Sequence, residues 1–134
     1  MSLNQDIQNT INNFRENFPP ELLALIEQGA GEISALEILE VALKKDDKAP
    51  NFTLDDRKGQ SHSLSSYLSN GPLVITFYRG AWCPYCNLQL AAYNAHLDEI
   101  KAAGGTLIAV TPETANGLSA LRESGVPDEM KDSA

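Results

Sequence analysis

Phe77-Tyr78-Arg79-Gly80-Ala81-Trp82-Cys83-Pro84-Tyr85-Cys86 contains the only two cysteines of the chain, three residues apart. The run Leu73-Val74-Ile75-Thr76-Phe77-Tyr78 before them is nearly all apolar and β-prone, as in a strand covered on both faces. The stretch from Asn87 to Ala103 after them carries a helical pattern. A Cys-x-x-Cys pair at the joint between a strand and a helix suits redox thiol chemistry. The helix N-terminus offers unpaired N–H groups and partial positive charge, which lowers the pKa of a thiol placed there. The second sulfur, one turn on, can close a disulfide and release whatever the first one attacked.

Working outward, Cys83 falls at the helix cap and Pro84 in the first turn, where proline is favoured. Leu90, Tyr93, Leu97 and Ile100 form the inward face, and Gly104-Gly105 ends the helix. Thr106 to Val110 reads as a second buried strand, closed by Thr111-Pro112. Strand, helix and strand at this spacing predict a parallel, right-handed βαβ unit. Upstream, Phe52-Thr53-Leu54 and Gln60 to Leu64 flank the turn residues Asp55 to Gly59 and predict a β-hairpin. Ser65 or Ser66 is expected to cap a short helix through Leu68.

The front third is helical. Ile7, Ile11, Phe14 and Phe18 keep a helical period, and Pro19-Pro20 ends that helix and starts another at Glu21. Leu22, Leu23, Leu25 and Ile26 make an apolar face, Gly29 and Gly31 interrupt it, and Ile33 to Leu43 resume it up to Lys44-Lys45. One more short helix is expected over Asn116 to Ser124, before the break at Gly125-Val126-Pro127.

The length of 134 residues suits one domain. A net charge of −8 speaks against a nucleic-acid surface or an anionic membrane and fits a cytoplasmic protein. No apolar run approaches the length of a membrane-spanning helix, and the N-terminus lacks signal-peptide features. Two cysteines do not make a disulfide scaffold, and a lone Cys-x-x-Cys in a reducing compartment is more often catalytic or metal-binding. Free cysteine also packs as a small hydrophobe. Structural zinc needs about four ligands, and beyond the thiols only His62 and His96 are available. His96 lies ten residues past Cys86 on the expected helix, roughly 15 Å along its axis, so no metal is expected. Neither histidine stands at the spacing of a hydrolase triad, and no phosphate-binding glycine motif suggests a nucleotide cofactor.

Lys48 to Leu54, Phe77 to Cys86 and Leu107-Ile108-Ala109-Val110-Thr111-Pro112-Glu113 together resemble the peroxiredoxin-like branch of the alkyl hydroperoxide reductase/thiol-specific antioxidant (AhpC/TSA) family. The resemblance covers Lys44 to about Ser124 and implies an α/β fold: a thioredoxin-like βαβ core with an N-terminal helical extension and β-hairpin. The expected organisation is a helical extension over residues 1–45, a partial thioredoxin-like domain over 46–126 and a polar tail over 127–134. The family continues with a β-hairpin and a final helix, so the C-terminal ββα part, with its cis-proline and peroxide-polarising arginine, is expected to be lacking.

The resemblance implies a thiol peroxidase that uses Cys83 and Cys86, a hydroperoxide substrate and a thioredoxin-type reductant. Two alignments disagree about the roles. Aligned without gaps from Phe77-Tyr78, Arg79 falls on the family's proline, Cys83 on its threonine and Cys86 on the peroxidatic cysteine. Aligned on the Trp-Cys-x-x-Cys of thioredoxins, Cys83 attacks and Cys86 resolves. Trp82 is expected to pack beside the first sulfur. Arg79 can hold a thiolate or a peroxide oxygen, or be a solvated loop residue, and Tyr85 can donate a hydrogen bond near the sulfur or face a partner. Two other readings stand beside the peroxidase: a thioredoxin-like disulfide reductase, and a non-catalytic half-domain that self-associates. An open edge on Leu73–Tyr78 leads us to expect a homodimer paired through that strand.

Overall fold

The computed structural model of the chain describes residues 2–114. These fall into two compact units: Ile7–Pro50, and the chain from Asn51 onward together with the first residues through Asp6. Helix α1 is Leu3–Asn17, α2 is Pro20–Ser34 and α3 is Ile38–Val41. The proline pair acts as its sequence implies. Pro19 takes the cap of α2 in an extended conformation and Pro20 the first helical position. Phe14 and Phe18, one turn apart, stack with ring centroids 3.9 Å apart.

The expected break at Gly29 and Gly31 does not occur, and α2 runs through both. A glycine costs a helix about 1 kcal/mol, a penalty that neighbouring strong helix formers outweigh. The break falls later, at Glu37, whose φ of 49° is left-handed, and only the short α3 follows. The helix expected to reach Lys44-Lys45 therefore ends at Val41.

In the second unit β1 (Thr53–Asp55) and β2 (Ser61–Ser63) form an antiparallel hairpin with Leu54 opposite His62. Asp56 shapes its turn. Its carboxylate accepts the backbone N–H groups of Lys58 at 2.8 Å and Gln60 at 2.9 Å. It also lies 3.1 Å from His62 Nε2, while Tyr67 Oη lies 2.8 Å from His62 Nδ1. Helix α4 (Leu64–Leu68) follows, and its cap is Ser63, which accepts the Ser66 N–H, rather than Ser65 or Ser66. Four serines crowd this stretch. Pairing of the Leu64 N–H with the Phe52 carbonyl at 3.1 Å starts the helix directly after β2 and so selects Ser63.

Strands β3 (Leu73–Phe77) and β4 (Thr106–Val110) pair in parallel, in register from Leu73–Thr106 to Phe77–Val110. Tyr78 prolongs the ladder, since its N–H donates to the Val110 carbonyl at 3.0 Å. The connection is helical, but it is not one helix. It comprises α5 (Pro84–Ala95) and α6 (Leu97–Ala102), which meet at His96. Asn94 and His96 are weak helix formers, and His96 Nδ1 bonds Glu99 Oε1 at 2.9 Å, which favours a restart there. Gly104, at φ 78°, supplies the left-handed residue that ends α6. The most buried side chains, Leu64, Thr76, Tyr78 and Cys83, draw the core toward the carboxyl end of β3. Strand β3 is not covered on both faces as its composition implies: Phe77 is 75% exposed, and β4 is its one neighbour among the described residues. The helix expected over Asn116–Ser124 and the tail from residue 127 lie outside the described residues.

Backbone N–H bonds hold the Asp56 carboxyl below its ordinary value of 3.8, led by Gln60; burial opposes them, and His62 and Lys58 assist. A depressed folded-state pKa contributes stability above the unfolded pKa and loses it as pH falls through the folded value. Asp56→Ala should therefore reduce the hydrogen-exchange protection of the Lys58 and Gln60 amides at neutral pH. The difference from the parent chain should vanish in acid.

Candidate functional site

Parallel pairing brings the residues after β3 and the residues after β4 out at one end of the sheet, where α/β folds place their sites. The chain leaves β3 through Arg79-Gly80-Ala81-Trp82 and enters α5 with Cys83 at the cap, in an extended conformation, and Pro84 at the first position. Three hydrogen bonds hold this loop. The Cys83 N–H donates to the Gly80 carbonyl at 3.0 Å. Asn87 Nδ2 donates to the Ala81 carbonyl at 2.9 Å, and the Ala81 N–H donates to Glu113 Oε2 at 3.3 Å.

Both cysteines are free thiols. Cys83 is fully buried and Cys86 partly so. Their Sγ atoms lie 2.9 Å apart and share a hydrogen bond. Burial pushes the Cys86 thiol up, but several contacts together outweigh it and hold the thiol below its ordinary value. They are the hydrogen bond with Cys83, hydrogen bonds from the backbone and the guanidinium of Arg79, and the charge of that guanidinium. Partial burial works against the Arg79 cation too. The charges of Cys83 and Cys86, and hydrogen bonds to both sulfurs, leave it more firmly protonated than usual. Arg79 is an exposed loop residue whose guanidinium bonds the sulfur pair.

The guanidinium also lies over the Trp82 ring, 5.7 Å from its centroid, in cation–π range. Trp82 itself is 59% exposed, so beside the buried Cys83 it forms the outer surface of the site. Pro84 is exposed and Tyr85 half-buried in the first turn of α5. His62 and His96 are engaged by Asp56 with Tyr67, and by Glu99, respectively. Among the described residues no cluster of three or more histidine, cysteine or acidic side chains is arranged to hold a metal.

Two residues near the sulfurs escaped the sequence reading. Tyr78 is only 8% exposed; burial pushes its phenol up, helped by the charges of Glu113 and Cys86 and opposed by a hydrogen bond with Thr111. Glu113, the last residue of the Leu107–Glu113 run, reaches back to the Ala81 N–H. The signal for both is the paired register of β3 and β4, which no local motif records.

This thiol site on a thioredoxin-like frame has clear relatives. The chain is 32% identical over 81 residues to the peroxiredoxin Bcp of Escherichia coli K12, covering 60% of this chain and 51% of that protein. It is 34% identical over 73 residues to the chloroplastic peroxiredoxin Q of Oryza sativa subsp. japonica, covering 54% and 33%. Among solved structures, the peroxidoxin BcpB of Mycobacterium tuberculosis superposes with a TM-score of 0.56 at 24% identity, over 62% of this chain and 54% of that one, a likeness of fold. The chain therefore spans about half of the length of the first of these curated relatives and a third of the second. The profile of the AhpC/TSA family matches residues 46–125, which take in the hairpin, both paired strands and the cysteine pair. With most of its length matched, and its thiol pair at the strand-to-helix joint, the chain belongs to the AhpC/TSA family.

Proposed function

We propose that the chain is a thiol peroxidase in which Cys86 attacks a hydroperoxide and Cys83 resolves the product to a Cys83–Cys86 disulfide. The observation that carries this reading is the setting of Cys86. It is the more accessible of two touching thiols, ionises below the ordinary range and is bonded by Arg79. The thiolate, not the thiol, is the nucleophile, so a lowered pKa raises the reactive fraction of this sulfur.

The reaction balances with the chain's own groups. The Cys86 thiolate attacks the outer oxygen of ROOH, and the O–O bond breaks. RO⁻ leaves and takes a proton to become ROH, while Cys86 becomes a sulfenic acid. Cys83, already 2.9 Å away, attacks the Cys86 sulfur and displaces its OH as water, closing the disulfide. A thioredoxin-type dithiol then transfers two electrons and two protons to restore both thiols. Arg79 stabilises the thiolate at the start and the departing oxygen's charge as the O–O bond breaks.

The reading includes a reducing compartment such as the cytoplasm, where thiols stay free. It also includes a homodimer paired along the outer edge of β3. Supporting the dimer, Phe77 and Val74 on that strand are 75% and 37% exposed. Among the described residues no helix is long and apolar enough to cross a membrane.

The decisive variants separate the two sulfurs. Cys86→Ser should abolish fast peroxide-dependent loss of thiol. Cys83→Ser should preserve the first step and let a dimedone-type reagent trap a sulfenic acid on Cys86. The opposite pattern would assign attack to Cys83. Insulin-disulfide reduction without peroxide turnover would instead favour a disulfide reductase.

The pH profile follows from the same contacts. The rate with peroxide should rise as pH climbs through the depressed Cys86 pKa and level off above it. Arg79→Ala should move the rise to higher pH and slow the reaction roughly tenfold on the acid side of that rise, the effect of about one pKa unit. Sedimentation of the purified chain should show a dimer, and a lysine in place of Phe77 should shift it toward monomer.

A further inference from the structure

We infer that Glu113 is a positioning residue that holds the Arg79–Trp82 loop in the shape that delivers Arg79 to the sulfur pair. The inference rests on Cys86 being the reactive thiolate. The structural support comes from both ends of the loop. Behind β4, the Glu113 N–H donates to Thr111 Oγ1 at 3.3 Å, which sets the turn that carries the carboxylate. In front, Glu113 Oε2 accepts the Ala81 N–H at 3.3 Å, while Asn87 holds the other side of the same loop through the Ala81 carbonyl. Ala81 is thereby gripped by its N–H from the end of β4 and by its C=O from α5.

Gly80 shows how closely this grip fits. Its φ is 150°, and a Cβ there would stand 2.6 Å from Glu113 Oε1 and 2.5 Å from Trp82 Nε1. The carboxylate and the indole N–H converge on the space that the missing side chain leaves free. Any other residue at position 80 would push both away, besides straining the backbone.

A carboxylate at this place needs a reason, because negative charge near a thiolate disfavours ionisation. Acting by charge alone, Glu113 would work against the site. Acting through Ala81, it fixes the peptide two residues past Arg79, whose backbone and guanidinium both bond Cys86. The two modes of action have opposite signs, and that makes them separable.

The test uses the chain in a Cys83→Ser background, where Cys86 is the one remaining thiol. Its ionisation is followed by thiolate absorbance and by the pH dependence of iodoacetamide alkylation, neither of which requires peroxide. Glu113→Ala should raise the titration midpoint by about one unit, a tenfold loss of thiolate on the acid side. Glu113→Gln, which keeps an acceptor for the Ala81 N–H, should restore the parent value. If both variants lower the midpoint, Glu113 acts by its charge and the positioning role is overturned. An unmoved midpoint in Glu113→Ala overturns it as well. Should Glu113→Ala fail to fold, Asn87→Ala releases Ala81 from the other side. A raised midpoint there supports the grip on this loop, and an unmoved one refutes it. A midpoint shift alongside slow peroxide reaction in the parent chain would count against the peroxidase reading and leave this one standing.

Discussion

The structure depends on one electrostatic contest, fought at the sulfur of Cys86. Partial burial disfavours the thiolate. Against it stand the Arg79 backbone and guanidinium, the hydrogen bond with Cys83, and the position of both sulfurs at the start of α5. The sum holds the thiol below its ordinary pKa. Each favourable partner is supplied by the strand-to-helix joint: Arg79 from the loop after β3, Cys83 from the helix cap, Cys86 from the first turn. A shift of the loop by an ångström would cost the guanidinium its geometry while burial remained, and the thiol would lose its readiness to ionise.

The parallel pair of strands matters because it fixes that loop. Tyr78 closes the ladder against Val110, and the residues beyond Val110 then stand beside the residues beyond Tyr78. Thr111 and Glu113 reach the cysteine loop without belonging to the cysteine motif. The core has the same bias. Its most buried members cluster toward this end, whereas Phe77 on β3 lies open.

Much of this was legible in the residues. The β-branched runs at Leu73–Phe77 and Thr106–Val110 announce two strands, and Cys83-Pro84 announces a helix start. The places where the reading slipped share one cause: contacts between distant segments decided among local options of nearly equal merit. Ser65 and Ser66 read as the caps of α4, and a backbone bond from Leu64 to Phe52 chose Ser63. The pattern from Asn87 to Ala103 runs unbroken in apolar period, yet His96 with Glu99 divides it. Gly29 and Gly31 look like a stop, but the break waits for Glu37. At the site, the pair of cysteines was plain, whereas the part of Arg79 was undecidable between solvent and sulfur. Sequence position places Arg79 four residues from Cys83; only folding turns its guanidinium onto both sulfurs. The division of labour between the two cysteines cannot be read from the spacing, since both alignments satisfy it.

Trp82 offers the most direct measurement of the central claim, because it is the single tryptophan and adjoins the cysteine pair. Fully reduced chain would be mixed with hydrogen peroxide in a stopped-flow instrument, and tryptophan fluorescence followed as the sulfurs oxidise. The account predicts a signal whose rate rises linearly with peroxide and far exceeds the reaction of free cysteine, ending in one intramolecular disulfide by mass spectrometry. A rate no greater than that of free cysteine would contradict it, and would show that Cys86 with Arg79 does not form a peroxide-reactive centre.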